Sequence, residues 1–194
     1  MNLELFNNLM GEKPFQYYPE WWMFLSICEI YLKRYEIEKP IVVEIGSWMN
    51  RQKKFYEQLL NAEHIGIDIS DKSGAPDILG DSQDPKTLEM LKERLGGRVI
   101  NILFIDALHH YGAVKRDYNM YSPLCEDIVA FHDIESSRYH KSKKTRVWKF
   151  WDELKLKVHE GDKGYRDSLL LSIHEHREAN QGIGVLIKRK IEWT

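Results

Sequence analysis

The sequence predicts an α/β fold: a doubly wound, Rossmann-like sheet of about seven strands, mostly parallel, with an antiparallel hairpin at the C-terminal end. Three observations predict it. Apolar strand-like runs alternate with helix-like stretches along most of the chain, which is the pattern of a parallel sheet covered on both faces. The run Ile41-Val42-Val43-Glu44-Ile45-Gly46-Ser47 reads as a buried strand stopped by a glycine turn, with a helix and a second strand after it. Successive strands end in acidic residues, which gathers charge on one rim of the sheet.

Each element follows in turn. Residues 1 to 19 read as irregular, with Pro14 and Pro19 as breakers, inside an N-terminal helical lead-in that occupies 1–39. From Glu20 to Tyr35 the apolar positions Trp21, Phe24, Leu25, Cys28, Tyr31 and Leu32 keep helical spacing. Pro40 precedes the first strand. Met49 to Leu60 is helix-like, and His64-Ile65-Gly66-Ile67-Asp68 is a second short strand. Pro76 to Leu79 is a short third strand, and Gly80-Asp81-Ser82 leaves it. Asp84-Pro85 opens a helix that Gly96-Gly97 closes. Val99 to Asp106 is the clearest strand, nearly continuous apolar sequence closed by an aspartate. A helix covers Ala113 to Tyr121, a strand Ile128 to Phe131 ends at His132-Asp133, and a basic loop spans Glu135 to Thr145. A helix then carries Val147, Trp148, Phe150, Trp151 and Leu154. Leu169 to His174 and Gly184 to Ile187 complete the chain as an antiparallel pair.

The 194 residues suit a single domain, 1–194, with 43% hydrophobic and 30% charged residues. A net charge of −2 offers no electrostatic argument for nucleic acid or an anionic membrane surface. Cys28 and Cys125 lie in apolar contexts and read as buried thiols. No apolar run approaches the ~18 residues of a membrane span, and the N-terminus lacks the pattern of a signal peptide. A cytoplasmic protein is the expectation. Trp22 and Trp193 are weak pointers to a homo-oligomer interface.

Two cofactor chemistries fit the first turn. Asp68 falls 22 positions after Gly46, near the ~20 residues at which an acid holds a ribose diol. A dinucleotide would require G-x-G-x-x-G, yet the turn reads Gly46-Ser47-Trp48-Met49-Asn50-Arg51, with one glycine. A carboxylate ahead of the turn suits an ammonium better than a pyrophosphate. The S-adenosylmethionine reading is therefore favoured over a nicotinamide one. Glu44, Gly46 and Ser47 then face the amino acid part of the cofactor, Asp68 the ribose, and Asp81 with Ser82 the adenine.

Asp106 and Asp133 remain, on strands that should be adjacent. With His132 they could hold a divalent cation such as Mg²⁺, and a histidine ligand tilts preference toward a transition metal. His109 could then take a proton from an acceptor hydroxyl. Arg138, Lys141, Lys143, Lys144 and Arg146 form either a solvated loop or a lid over an acidic substrate.

Phe104-Ile105-Asp106, His109, Tyr111, Val114, Asp117 and Val129-Ala130-Phe131-His132-Asp133-Ile134 resemble the class I methyltransferases of the cephalosporin hydroxylase-like and macrocin O-methyltransferase-like group. Glu44-Ile45-Gly46-Ser47, Gly80-Asp81-Ser82-Gln83-Asp84-Pro85 and Val147-Trp148-Lys149-Phe150-Trp151 extend the resemblance from about Gln16 to the C-terminal hairpin. It implies a seven-stranded methyltransferase fold, S-adenosylmethionine, often Mg²⁺-dependent transfer to a hydroxyl of a sugar or small molecule, and Asp106 and Asp133 as metal ligands, Asp106 also standing at the cofactor. It also places His132 where the group often carries an acid. Two local departures stand out: the glycine-poor turn after Gly46, and Asp106-Ala107-Leu108-His109 in place of the group's Asp-Gly-Asp-His. They keep open a second reading, a non-catalytic binder of the same cofactor.

Overall fold

The computed structural model describes residues 1–71, 76–136, 138, 145–174 and 181–188. Strands β1 (Ile41–Ile45), β2 (Glu63–Asp68), β3 (Ile78–Leu79), β4 (Ile100–Ile105), β5 (Cys125–His132), β6 (Leu169–Ile173) and β7 (Ile183–Ile187) form one sheet in the order β3-β2-β1-β4-β5-β7-β6. The first five run parallel; β7 is antiparallel to both β5 and β6. The chain winds outward from β1 to β3 and returns to β4 beside β1. The crevice beyond the carboxyl ends of β1 and β4 is thus the topological switch point, where sheets of this kind bind ligands.

Helices α1 (Leu3–Met10), α2 (Tyr18–Arg34), α3 (Lys53–Leu60), α4 (Pro85–Leu95), α5 (Tyr111–Tyr121) and α6 (Val147–His159) cover the two faces. Strand alternation sorts the core. Val43, Ile45, Leu103 and Phe131 point toward α4, α5 and α6, where Leu91, Val114, Phe150 and Trp151 meet them. Val42, Phe104, Ala130 and Val185 point the other way, onto Phe6, Trp21, Phe24, Phe55 and Tyr56 of α1, α2 and α3. Trp21 is fully buried and packs on Phe24, Phe55, Tyr56 and Phe104. Truncating a side chain so enclosed costs about 3–5 kcal/mol. Gly184 on β7 is required by packing: a Cβ there would lie 2.8 Å from the Trp151 ring.

The expected elements are present, with shifted bounds. Residues 1 to 19 are less irregular than the prolines suggest. The Asn2 side chain accepts the Leu5 N–H and caps α1, which buries Phe6 and Leu9. Pro19 sits in the first turn of α2, where its missing N–H costs nothing. The helix expected from Met49 begins at Lys53, because the preceding residues form tight turns with Trp48 (φ +40°) and Asn50 (φ +53°) in the left-handed region. Glu20, though buried, is satisfied: its carboxylate accepts the Gly182 N–H at 3.0 Å and ties α2 to the start of β7. No helix among the described residues is long and apolar enough to cross a membrane.

Candidate cofactor and metal site

A cavity of about 440 Å³ opens at the switch point. Its walls are the ends of the parallel strands and the loops after them: Ile45, Gly46 and Trp48 after β1, Ile67, Asp68 and Ile69 after β2, Gly80 to Ser82 after β3, and Asp106 to His109 after β4. His132, the last residue of β5, and Phe15, from the segment between α1 and α2, complete it. Gly46 carries φ +88°, and a Cβ there would stand 2.2 Å from the Asp106 carbonyl oxygen. Only glycine lets the β1 turn pass so close to β4.

The acids on this rim are held by backbone donors. Asp68 Oδ2 accepts the Trp48 N–H at 2.7 Å and Oδ1 accepts the Ser70 N–H at 2.9 Å. Each oxygen keeps a lone pair, so the carboxylate can still accept from a diol. Asp81 Oδ1 accepts the Gln83 N–H at 2.9 Å in an Asx turn. The Ser82 hydroxyl is committed elsewhere: it donates to buried Asp117 of α5 at 2.9 Å, and its carbonyl accepts from Tyr121 Oη at 2.8 Å.

The β4 and β5 ends converge on a denser group. Asp106 Oδ1 lies 3.1 Å from His109 Nε2 and 3.0 Å from His132 Nδ1, while its Oδ2 accepts from Gln16 Nε2 at 3.1 Å. The other nitrogen of His109, Nδ1, lies 2.9 Å from Asp133 Oδ2. Ser136 Oγ donates to Asp133 Oδ1 at 2.6 Å, and Asp133 takes a left-handed φ of +64°. Such a φ in a non-glycine residue is held against its own preference by surrounding contacts. Asp106, His109 and His132 each offer a ligand atom, all within 4.8 Å of one another.

Charge follows from this geometry. Burial opposes ionisation of Asp106, but the charge of His132 and the hydrogen bonds of both imidazoles prevail and hold it well below the usual carboxylate range. Burial pulls His109 down, yet the hydrogen bonds to Asp106 and Asp133 prevail and lift it to about 10. Burial opposes protonation of His132 as well, and Asp106 outweighs it. Asp133 is lowered: desolvation is overcome by His109, His132 and Ser136. A ring that donates from both nitrogens has no lone pair, so His109 in this arrangement is an imidazolium.

Of the residues singled out from sequence, Gly46, Asp68, Asp81, Ser82, Asp106, His109 and His132 line the cavity. Asp133 stands behind His109. Glu44 and Ser47 are not on the wall: Glu44 is fully buried, paired through Oε2 with His64 Nε2 at 2.9 Å, and Ser47 is tucked toward Gly66. Burial raises the Glu44 carboxyl, with His64 only partly opposing. The basic loop is only partly described: Lys141, Lys143 and Lys144 lie outside the described residues. Arg138 pairs with Glu135 and Asp152, and its guanidinium stands over Trp148, away from the cavity. Phe15, Gln52 and Leu108 also belong to the wall. Phe15 reaches it by stacking on Trp48 at 4.5 Å, a contact between segments that no local sequence pattern announces.

No family model and no curated protein matches the sequence. Solved structures do. The MycE methyltransferase from mycinamycin biosynthesis, determined with Mg and SAH, aligns over 95% of this chain at 16% identity and TM-score 0.66. The alignment takes in 54% of MycE, so the chain spans about half that protein's length. An O-methyltransferase from Bacillus cereus in complex with SAH aligns over 97% of this chain and 92% of its own, at 12% identity and TM-score 0.60. The plantazolicin methyltransferase BpumL, in complex with a pentazolic desmethylPZN analog and SAH, aligns over 95% of this chain and 89% of its own at 12% identity and TM-score 0.57. Strand order, the antiparallel β7 and these alignments together establish the chain's fold as that of the class I S-adenosylmethionine-dependent methyltransferases.

Proposed function

We propose that the chain is an S-adenosylmethionine-dependent O-methyltransferase that acts on a hydroxyl of a small molecule or sugar with the help of a divalent cation. One observation carries the reading: on this fold, a single cavity at the switch point is lined by Asp68, Asp81 and Asp106 at three successive strand ends. The residues fit the cofactor. Asp68 has lone pairs for the ribose diol, Asp81 has an unengaged oxygen for an exocyclic amine, and Gly46 lets the methionine part approach the β1 turn. Glu44 and Ser47 would not touch the cofactor: Glu44 is paired with His64 beneath that turn, and the Ser47 hydroxyl is buried. Ser82 would present its own backbone at the adenine edge, since its hydroxyl is held by Asp117.

The residues also fit a cation. Asp106, His132 and Asp133 bring carboxylate and imidazole donors together beside the cavity, and a bound divalent ion would polarise and orient the acceptor hydroxyl. His109 is about a third exposed and is the side chain at hand for the hydroxyl proton. It can accept one only after it gives up a proton to regain a lone pair. Water exclusion falls to the apolar walls, Phe15, Trp48, Ile69 and Leu108.

The test is methyl transfer from labelled S-adenosylmethionine to a panel of hydroxylated small molecules, with Asp133→Ala beside the wild type. Transfer by the wild type and its loss in the variant, with cofactor binding retained, supports the reading. Cofactor binding without transfer to any acceptor supports the second reading, a non-catalytic binder. Leu108 in the acid position and the doubly held His109 favour that second reading.

A further inference from the structure

We infer that Asp106, His109 and His132 form a two-histidine, one-carboxylate centre that selects a divalent first-row transition ion over Mg²⁺, with Asp133 orienting His109. The inference rests on the proposed function only in taking this cavity as the site of a cation. The first ground is distance. Asp106 Oδ1 has His109 Nε2 at 3.1 Å and His132 Nδ1 at 3.0 Å. Adjacent donors around an ion with bonds of about 2.0–2.1 Å stand roughly 3 Å apart, so both carboxylate–imidazole separations already match edges of a coordination shell, and all three donor atoms lie within 4.8 Å of one another.

The second ground is donor chemistry. Mg²⁺ wants an octahedron of oxygens and releases its waters reluctantly, so two imidazoles in a set of three serve it poorly. Imidazole suits zinc, cobalt, iron and nickel, and two histidines with one carboxylate on a face leave the opposite positions open. The third ground is the surrounding support. Asp133 Oδ2 meets the far nitrogen of His109 at 2.9 Å and is itself fixed by Ser136 Oγ at 2.6 Å. A carboxylate on the outer nitrogen of a ligating histidine is the usual device that fixes ring orientation and tautomer. Gln16 likewise occupies Asp106 Oδ2 at 3.1 Å and leaves Oδ1 for the centre. In this arrangement His109 holds the ion instead of taking a proton.

The experiment is equilibrium dialysis of the chelator-stripped full chain against Co²⁺ and Mg²⁺ separately, with the visible absorption of bound Co²⁺ as a second readout. The expected result is one Co²⁺ per chain, bound at least about 100-fold tighter than Mg²⁺. His132→Glu and His109→Asn should each shrink that preference at least tenfold. Asp133→Asn should weaken Co²⁺ about 10–100-fold, as loss of an orienting partner does, without reversing the preference. Mg²⁺ bound as tightly as Co²⁺, or a preference untouched by both histidine substitutions, overturns the inference. Should buried His132 variants fail to fold, the Co²⁺ spectrum of the wild type decides: a shifted, intensified band from imidazole ligation supports the centre, and the spectrum of hexaaqua Co²⁺ overturns it. Titration of the same metal-free sample with S-adenosylhomocysteine tests the cofactor reading separately.

Discussion

Two histidine–carboxylate groups lie a few residues apart on this sheet, and they differ in what surrounds them. Glu44 and His64 sit side by side on β1 and β2, both buried, with Tyr56 stacked on the imidazole at 5.4 Å. Glu44 Oε1, His64 Nδ1 and Tyr56 Oη have no hydrogen-bond partner among the described residues. Asp106, His109, His132 and Asp133 sit at the ends of β4 and β5, where every carboxylate oxygen has a donor in reach and His109 and His132 face the cavity. The first group is a buried pair under α3, with Asp77 Oδ2 3.9 Å from the other nitrogen of His64; the second is convergent and accessible. A buried ion pair is therefore weak evidence of a site, whereas several donors aimed at one point beside a cavity are strong evidence.

The largest effect separates the groups by chemistry. Asp106→Asn removes the negative charge shared by both imidazoles, and cation affinity in dialysis should fall by more than the roughly 10–100-fold typical of an outer partner. An unchanged affinity would make the group an ordinary buried network like the Glu44 pair. Glu44→Leu should act on stability alone. It leaves the buried His64 nitrogen without its partner, at a cost of about 1–3 kcal/mol in denaturant unfolding, and changes the dissociation constant for S-adenosylhomocysteine less than about twofold. A cofactor loss of tenfold in a folded variant would move Glu44 into the binding machinery.

A third buried carboxylate sharpens the contrast, because it has no imidazole at all. Asp117 is fully buried, bonds only Ser82 among the described residues, and is pushed up to about 6 by burial. Its native pKa exceeds the unfolded value, so the native state binds the extra proton between about pH 4 and pH 6. Stability from this group is present below that window and falls as pH rises through it, by about 2–3 kcal/mol. Asp117→Asn should flatten that part of the stability profile in urea melts; an identical slope in both proteins would contradict the assignment. The smallest effect belongs to Trp48→Gly. Loss of the Phe15 stack, about 0.5–1.5 kcal/mol, is offset by relief of the left-handed backbone, so net stability should change by less than about 1 kcal/mol.

The fold was legible because strand and helix periodicity are local. The Gly46 turn, Pro85 with Gly96, and the apolar run before Asp106 marked their elements within a few residues. Asp68, Asp81, Asp106 and His132 were legible as rim residues because strand ends in a parallel sheet share one edge. Side-chain direction was not. Glu44 alternates with Val43 and Ile45 and faces α3 beneath the rim, and β2 supplies His64 to meet it, a pairing set by register. Phe15 was equally hidden, since only the packing of α1 against α3 returns that segment to the cavity. His109 was found as a proton acceptor candidate from its residue type. Its engagement by both Asp106 and Asp133 depends on the left-handed turn at Asp133, which the sequence does not announce.

The most direct test of the account is calorimetric titration with S-adenosylhomocysteine of the wild type and of Asp68→Ala. The account predicts saturable binding of one ligand per chain, weakened at least about tenfold in the variant by loss of a charge-assisted bond to the ribose diol. Absence of binding to the folded wild type, or equal binding by both proteins, would contradict the placement of the cofactor across these strand ends.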